Sequence, residues 1–281
     1  MLCSTLGVSR SGYYQYLNVD DQTRKHEERH LVKEMEAIHR DKQTRSYGSP
    51  RMTHELRHRG FACSENRVAR IMRENGLRAR FKRPFRPITT KSHQKAKAAP
   101  RLFITKQAKP AHPGEMLVGD ITYVATKEGW LYLAVVMDYY SRTIVGWEIS
   151  KSLDTPLIIN ALEKTKHRYG LKQTTLFHSD RGCQYTSRRF RTYLQKNQIH
   201  QSMSRRGNCY DNAACESVFA TLKAEAFPNR CVFETQAEAR YEIFEYIEGF
   251  YNTRRLHSSI DYQPPLTKYN ESLNPQIPTL N

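Results

Sequence analysis

The chain has 281 residues, enough to bury a sizeable core and to form about two domains. Its formal charge of +17 is unevenly placed: residues 1–110 carry 25 Lys+Arg against 10 Asp+Glu, and residues 111–281 carry 20 against 18. No apolar run nears the roughly 20 residues of a membrane span, no signal-peptide pattern opens the chain, and the six cysteines form no C-x-x-C pair. These features argue against a membrane protein or a disulfide-stapled secreted domain, and the expected setting is reducing and cytosolic.

The opening, residues 1–18, reads as short helix, and residues 24–40 read as a charged helix with Leu31, Met35 and Ile38 along one stripe. Ser49 or Thr53 can cap a helix that runs through Arg59; Gly60 breaks it, Ser64 caps a second helix through Asn75, and Gly76 closes that one. Two short helices about a glycine turn, the second bearing Arg67, Arg70 and Arg73, have the pattern of a helix-turn-helix. Together with the basic run that follows, they make residues 1–83 a DNA-binding region, in keeping with the charge excess. Residues 84–112 are rich in Pro and Lys without periodicity and read as a linker.

Texture changes at residue 113. EMLVGDITYVA, GWLYLAVVMDYYS and RTIVGWEIS are β-rich runs with short polar breaks, as in an antiparallel meander. A helix over 155–169, a strand TTLFHSD, a helix over 187–197 and a strand HQSMS follow. Next comes a helix that Asn212 can cap and Pro228 must end, with Cys215, Val218, Phe219, Leu222 and Ala226 on a buried stripe. A long helix over about 235–252 completes an α/β domain with a mixed sheet, taken as residues 113–265, with 266–281 as a tail.

Three acids stand out on these elements. Asp120 lies inside an apolar strand, Asp180 ends a buried-looking strand where α/β folds place their chemistry, and Glu216 opens a helix at the edge of its buried stripe. Burying one carboxylate costs several kcal/mol unless something pairs it. Singly, each has an ordinary explanation: a strand-edge partner, a turn cap, a solvated side chain. Jointly they suit hard divalent cations, which prefer carboxylate oxygens and can serve phosphoryl transfer as a pair about 4 Å apart. Lys223, seven residues after Glu216 and near the same helical bearing, is either a phosphate contact or a solvated lysine.

These residues resemble a known family. Asp120 in GDITYV, Asp180 in HSDRGCQYTS and Glu216 in RRGNCYDNAACESVFATLK, with 35 residues between the last two, look like the DDE triad of insertion-sequence transposases related to retroviral integrases. The segments SYGSPRMTHELRHRGFACSENRVARIMRENGLRAR and YNTRRLHSSIDYQPP are similar to the pre-core and C-terminal signatures of second-reading-frame proteins in the insertion-sequence-three family. The resemblance covers nearly the whole chain. It implies an RNase-H-like core with a mixed five-stranded sheet, preceded by a small all-α domain, in a bacterial, nucleoid-associated protein.

It also implies metal-dependent cleavage at element ends followed by strand transfer, with Asp120, Asp180 and Glu216 both catalytic and metal-binding and two Mg²⁺ or Mn²⁺ ions per site. The implied partners are terminal inverted repeats and target DNA, a further copy of the chain on that DNA, and the product of an upstream reading frame joined by frameshifting. Two other functions share these features: a DNA-binding regulator with an inactive core, and an RNase-H-like nuclease that cuts without joining. Arg254, Arg255 and His257 could meet DNA or fasten the last helix. His178 either orients a substrate or a metal-bound water or, as a strand-end His more often does, pairs with backbone, and Gln184 and Tyr185 lie near the site without a role. The pair His26 and His30 lacks a C-x-x-C partner, so no zinc module is expected, and most of the 17 tyrosines read as core rather than base-stacking groups.

Overall fold

The computed structural model describes residues 2–18, 21–79, 110–171, 174–204, 213–227 and 231–273. The chain divides into two compact units, Met1–Arg80 and Phe81–Asn281. Most of the expected linker, Asn212 and Pro228 fall outside the described residues.

The first unit is helical: α1 (Leu2–Thr5), α2 (Arg10–Asn18), α3 (Asp21–Arg40), α4 (Ser49–His58) and α5 (Glu65–Glu74). Leu31, Met35 and Ile38 of α3 are buried, as are Met52 and Leu56 of α4 and Val68, Ile71 and Met72 of α5. Each set recurs at three- or four-residue spacing, so each helix buries one stripe. Ser64 caps α5 by accepting from the Arg67 amide, and Gly76 follows that helix at φ +65°. The start of α4 differs from expectation. Gly48 holds the cap position without a side-chain bond, and the Thr53 hydroxyl turns back onto the Ser49 carbonyl at 2.7 Å. Pro50, beside that cap, has no N–H to satisfy, so the weaker cap suffices.

The second unit is built on β1 (Met116–Thr126), β2 (Gly129–Asp138), β3 (Ile144–Ser150), β4 (Leu176–Ser179), β5 (His200–Met203) and β6 (Val232–Phe233). The order is β3-β2-β1-β4-β5, with β6 added to the far end of β1. β1, β2 and β3 are antiparallel, while β4 pairs parallel to β1 and β5 parallel to β4. The sheet is therefore mixed, as expected, and gains a sixth, two-residue strand. Helix α6 (Thr155–Tyr169), capped by Asp154, packs on it together with α8 (Arg188–Lys196), capped by Ser187, while α7 (Cys183–Thr186) is a single turn before α8.

The approach of α6 to β3 depends on Gly146. A Cβ there would run into the Ala161 carbonyl and the Thr165 hydroxyl, and a helix carbonyl cannot step aside. We expect Gly146→Ala to cost about 1–3 kcal/mol of stability, as overpacking does. The check is a urea melt in which the midpoint falls while the slope is unchanged.

Helix α9 (Ala213–Glu225) buries Cys215, Val218, Phe219 and Leu222, the stripe expected of it. The long helix after it is only half α-helical. α10 (Gln236–Phe244) widens into a π-helical stretch over Glu245–Tyr251, which turns Tyr246, Ile247, Phe250 and Tyr251 all inward. From its end, Asn252 imitates a strand: its amide oxygen accepts from Ile144 N at 2.9 Å and its nitrogen donates to Ile144 O at 3.0 Å, closing the edge of β3. Residues 266–273, read as tail, belong to α11 (Pro265–Leu273), whose Tyr269 is buried 5.0 Å from the Tyr169 ring.

Candidate functional site

The site is set by one register. β1 and β4 pair Val118 with His178 and Gly119 with Ser179, so the next residues on each strand, Asp120 and Asp180, come side by side at the spacing of neighbouring strands, about 4.8 Å. Gly119 makes room for this. Any Cβ on it would overlap the Phe177 ring of β4. Each acid has one oxygen held by a backbone amide: Asp120 Oδ1 accepts from Ile121 N at 2.8 Å, and Asp180 Oδ1 accepts from Gly182 N at 2.9 Å.

The two carboxyls are electrostatically uncomfortable. Burial first, and then the charge of Asp180, push the Asp120 pKa up to about 8; the Ile121 amide opposes them, Glu216 adds a smaller push, and Lys223 a small counter-pull. Asp180 is also raised by burial, against the Gly182 amide. Glu216 thus acts on Asp120 from the first turn of α9, more weakly than Asp180 does, and its side chain is exposed. Among the described residues, no three His, Cys, Asp or Glu are gathered closely enough to hold a metal ion as they stand. The acids form a tight pair, with Glu216 poised outside it.

Two buried groups near the pair, which the sequence placed on a helix stripe and beside the site without a role, feel its charge. The Cys215 thiol and the Tyr185 hydroxyl are buried, and both are raised well above their ordinary pKa by burial and then by the charge of Asp120. Both therefore stay protonated at neutral pH and supply no thiolate or phenolate nucleophile. The Tyr185 hydroxyl has no hydrogen-bond partner among the described residues. Lys223 is half-buried and lowered, chiefly by burial, while Cys231 and Asp120 draw it back up. Its ammonium therefore lies within electrostatic reach of Asp120.

His178 is fully buried and paired differently from expectation: its ring nitrogens meet the hydroxyls of Ser202 at 2.9 Å and Ser204 at 3.1 Å on and after β5. It ties β4 to β5 and does not line the site. The basic residues fall into two groups. Arg67 and Arg70 lie beside Glu27 and Glu28 at 3.7 and 3.0 Å, and Arg70 also meets Glu74, whereas Arg73 is exposed with no ion pair among the described residues. Arg254 is exposed over the Phe250 ring. Arg255, expected either to meet DNA or to fasten the last helix, does the second and is buried: its Nε and a terminal nitrogen bind the Glu225 carboxylate at 2.8 and 2.9 Å. The Tyr246 hydroxyl donates to the same carboxylate at 2.7 Å. Arg255 fastens the π-helical segment to α9 and is removed from the DNA-facing set.

Comparison with known proteins agrees with this architecture. An integrase core domain family matches residues 110–209, a second integrase core domain family residues 197–265, and an HTH-like domain family residues 25–85. The chain is similar to the insertion element IS600 uncharacterized 31 kDa protein of Shigella sonnei, 39% identical over 264 residues that cover 92% of this chain and 94% of that one. It is also similar to the transposase InsF for insertion sequence IS3A of Escherichia coli (strain K12), 36% identical over 263 residues, 92% of this chain and 88% of that one. Among solved structures, the HTLV-2 integrase catalytic core domain in complex with magnesium aligns with 57% of this chain and 99% of that one, at 14% identity and a TM-score of 0.42.

Proposed function

The chain belongs to the insertion-element transposases that carry an integrase core and an HTH-like domain, and on that footing we propose that Asp120, Asp180 and Glu216 are its catalytic acids. The enzyme cleaves and joins DNA; the observation supporting this site for that chemistry is the Asp120–Asp180 pair created by the β1–β4 register. Two like charges held in partly buried positions, each with only one backbone donor, suit divalent cations better than solvent. Asp120 and Asp180 would share two ions, with Glu216 added from α9. Bound Mg²⁺ or Mn²⁺ would supply Lewis-acid stabilisation of the attacking and leaving oxygens in an in-line displacement.

The chain's own residues do the rest. Asp120 and Asp180, anchored through Ile121 and Gly182, fix where the scissile phosphate must sit. Lys223 offers its ammonium to a non-bridging phosphate oxygen. In the first step water attacks next to the element's end and leaves a 3′-hydroxyl; in the second that hydroxyl attacks a target phosphodiester, and a strand 3′-hydroxyl departs. The solvent-facing Arg73 and Arg254 hold flanking DNA. The working form is an oligomer on DNA, as a fusion to the upstream reading-frame product, on the bacterial nucleoid. Among the described residues, no helix is long and apolar enough to cross a membrane.

The test is incubation of the purified chain, alone and as the fused form, with a labelled element end and Mg²⁺ or Mn²⁺. Nicked and joined products are expected. No cleavage by either form would favour the regulator, and cleavage without joining the nuclease.

A stability prediction follows from the raised acids. A carboxyl raised in the folded state contributes fully below its unfolded pKa, near 3.9, and that contribution is lost as pH rises through the folded value. For Asp120 the loss extends to about pH 8. Asp120→Asn therefore stabilises the metal-free protein at neutral pH, on the order of 2 kcal/mol, or about 4–8 °C in Tm. The advantage vanishes below about pH 4. Adding Mg²⁺ raises the Tm of the wild type more than that of the variant; calorimetry with and without chelator reads both effects.

A further inference from the structure

At the far end of β1 the sheet carries an aromatic surface that the acid site does not use. Tyr123 opposes Tyr132 and Ala125 opposes Trp130 across the β1–β2 hairpin, so all four side chains share one face. That face is covered nearer the strand's start, where Ala134, opposite Ile121, is buried in the core. It emerges at Tyr123. The Tyr123 ring meets Trp130 edge-on at 6.0 Å and Tyr132 at 5.2 Å, and Trp130 is 51% exposed. Exposed Val232 of β6 extends the patch beside Ala125.

Position and charge indicate the occupant. Tyr123 is three residues from Asp120, about 10 Å along the strand and on its opposite face. Between them β1 pairs with neither β4 nor β6 over residues 120–124, and Cys183, three residues after Asp180, lies close enough to influence the Tyr123 hydroxyl. The charges at the hairpin tip are engaged: Lys127 pairs with Glu234 at 2.6 Å, and Glu128 accepts from Gln236 N at 2.8 Å. Residues 111–281 carry nearly as many acids as bases, 18 against 20, so phosphate attraction alone is a weak hold near the acids. Ring faces supply a hold that needs no charge, because every base has a π-face.

We propose that Tyr123, Trp130 and Tyr132 form a stacking platform for an unpaired base of the DNA strand at the acid site, drawn out of its duplex around the edge of β1. This rests on the transposase reading and adds a binding subsite to it. The base could come from the element's end or from the target, and the test separates the two.

The test uses the full chain and reads tryptophan fluorescence as the difference between wild type and Trp130→Phe, which removes the Trp147 background. Probes are an element-end duplex fully paired or unpaired at its terminus, and a target duplex fully paired or mismatched at its centre. Quenching at least about twofold stronger with an unpaired base is expected, and the probe that shows it identifies the source. Trp130→Ala should slow joining of fully paired substrates about 10–100-fold, as loss of a stacked base does. It should recover most of that rate on the pre-unpaired probe, while Trp130→Phe stays within about threefold of wild type. Equal quenching by paired and unpaired probes overturns the platform, as do wild-type joining by Trp130→Ala or a loss that pre-unpairing leaves uncorrected. If the wild type itself neither cuts nor joins, the transposase reading fails, while base-dependent quenching still supports the platform.

Discussion

Asp120→Asn, Asp180→Asn and Glu216→Gln should each lower cleavage and strand transfer by at least about 10²–10³-fold, the size seen when a group aimed at developing charge is removed. Each change keeps shape and removes charge, so the affinity for element-end DNA should stay within about threefold, because phosphate contacts and the HTH-like domain supply it. The two aspartates come from neighbouring strands with a shared register, and neither can be replaced by movement of the other. Glu216 is exposed on α9 and acts on Asp120 from outside the pair. Its loss should be partly relieved by Mn²⁺ in place of Mg²⁺, since Mg²⁺ demands near-ideal octahedral geometry. Single-turnover assays on labelled ends measure all three, and undiminished turnover in any one of them removes that residue from the site.

Breaking the Glu225–Arg255 pair should be the most damaging change to stability outside the core. Both side chains are nearly inaccessible, 2% and 3% exposed, and the carboxylate also accepts from Tyr246. Removing one partner leaves the other charge buried and uncompensated, so Arg255→Leu or Glu225→Leu alone should cost about 3–5 kcal/mol. The double replacement should recover much of that loss, because no lone charge then remains. Tyr246→Phe should cost about 1 kcal/mol. Arg254→Ala gives the contrast: stability within about 0.5 kcal/mol of wild type and weaker DNA binding. Urea melts and binding assays on these variants separate fastening from DNA contact in adjacent arginines. A tolerated Arg255→Leu with weakened DNA affinity would reverse the assignment.

Where the sequence was readable, a local rule met no competition. Ser64 and the α9 stripe follow from capping and helical period, and the meander from alternating β-rich runs broken by short turns. The acids drew notice as carboxylates in apolar surroundings, but their adjacency depends on a parallel register between segments about 60 residues apart, which no local pattern contains. The π-helical stretch keeps the residue types of an ordinary helix, and only the packing of Tyr246, Phe250 and Tyr251 widens it. Arg255 sits in a sequence that reads as a basic surface, RRLH; its buried partner lies 30 residues upstream on another helix. Tyr123 read as core with most of the tyrosines, because alternation shows which face a residue is on, not whether that face is covered.

The clamp at the C-terminal end of α9 has a mechanical consequence. Glu225 stands nine residues after Glu216, about 13.5 Å along the helix axis. With Arg255 and Tyr246 gripping the far end, Glu225 is the fixed point, or hinge, of any tilt of α9. An arc of roughly 10° about that hinge carries Glu216 about 2.4 Å, slightly more than one Mg²⁺–oxygen bond. On the proposed assignment, a tilt that small would decide whether Glu216 reaches the aspartate pair.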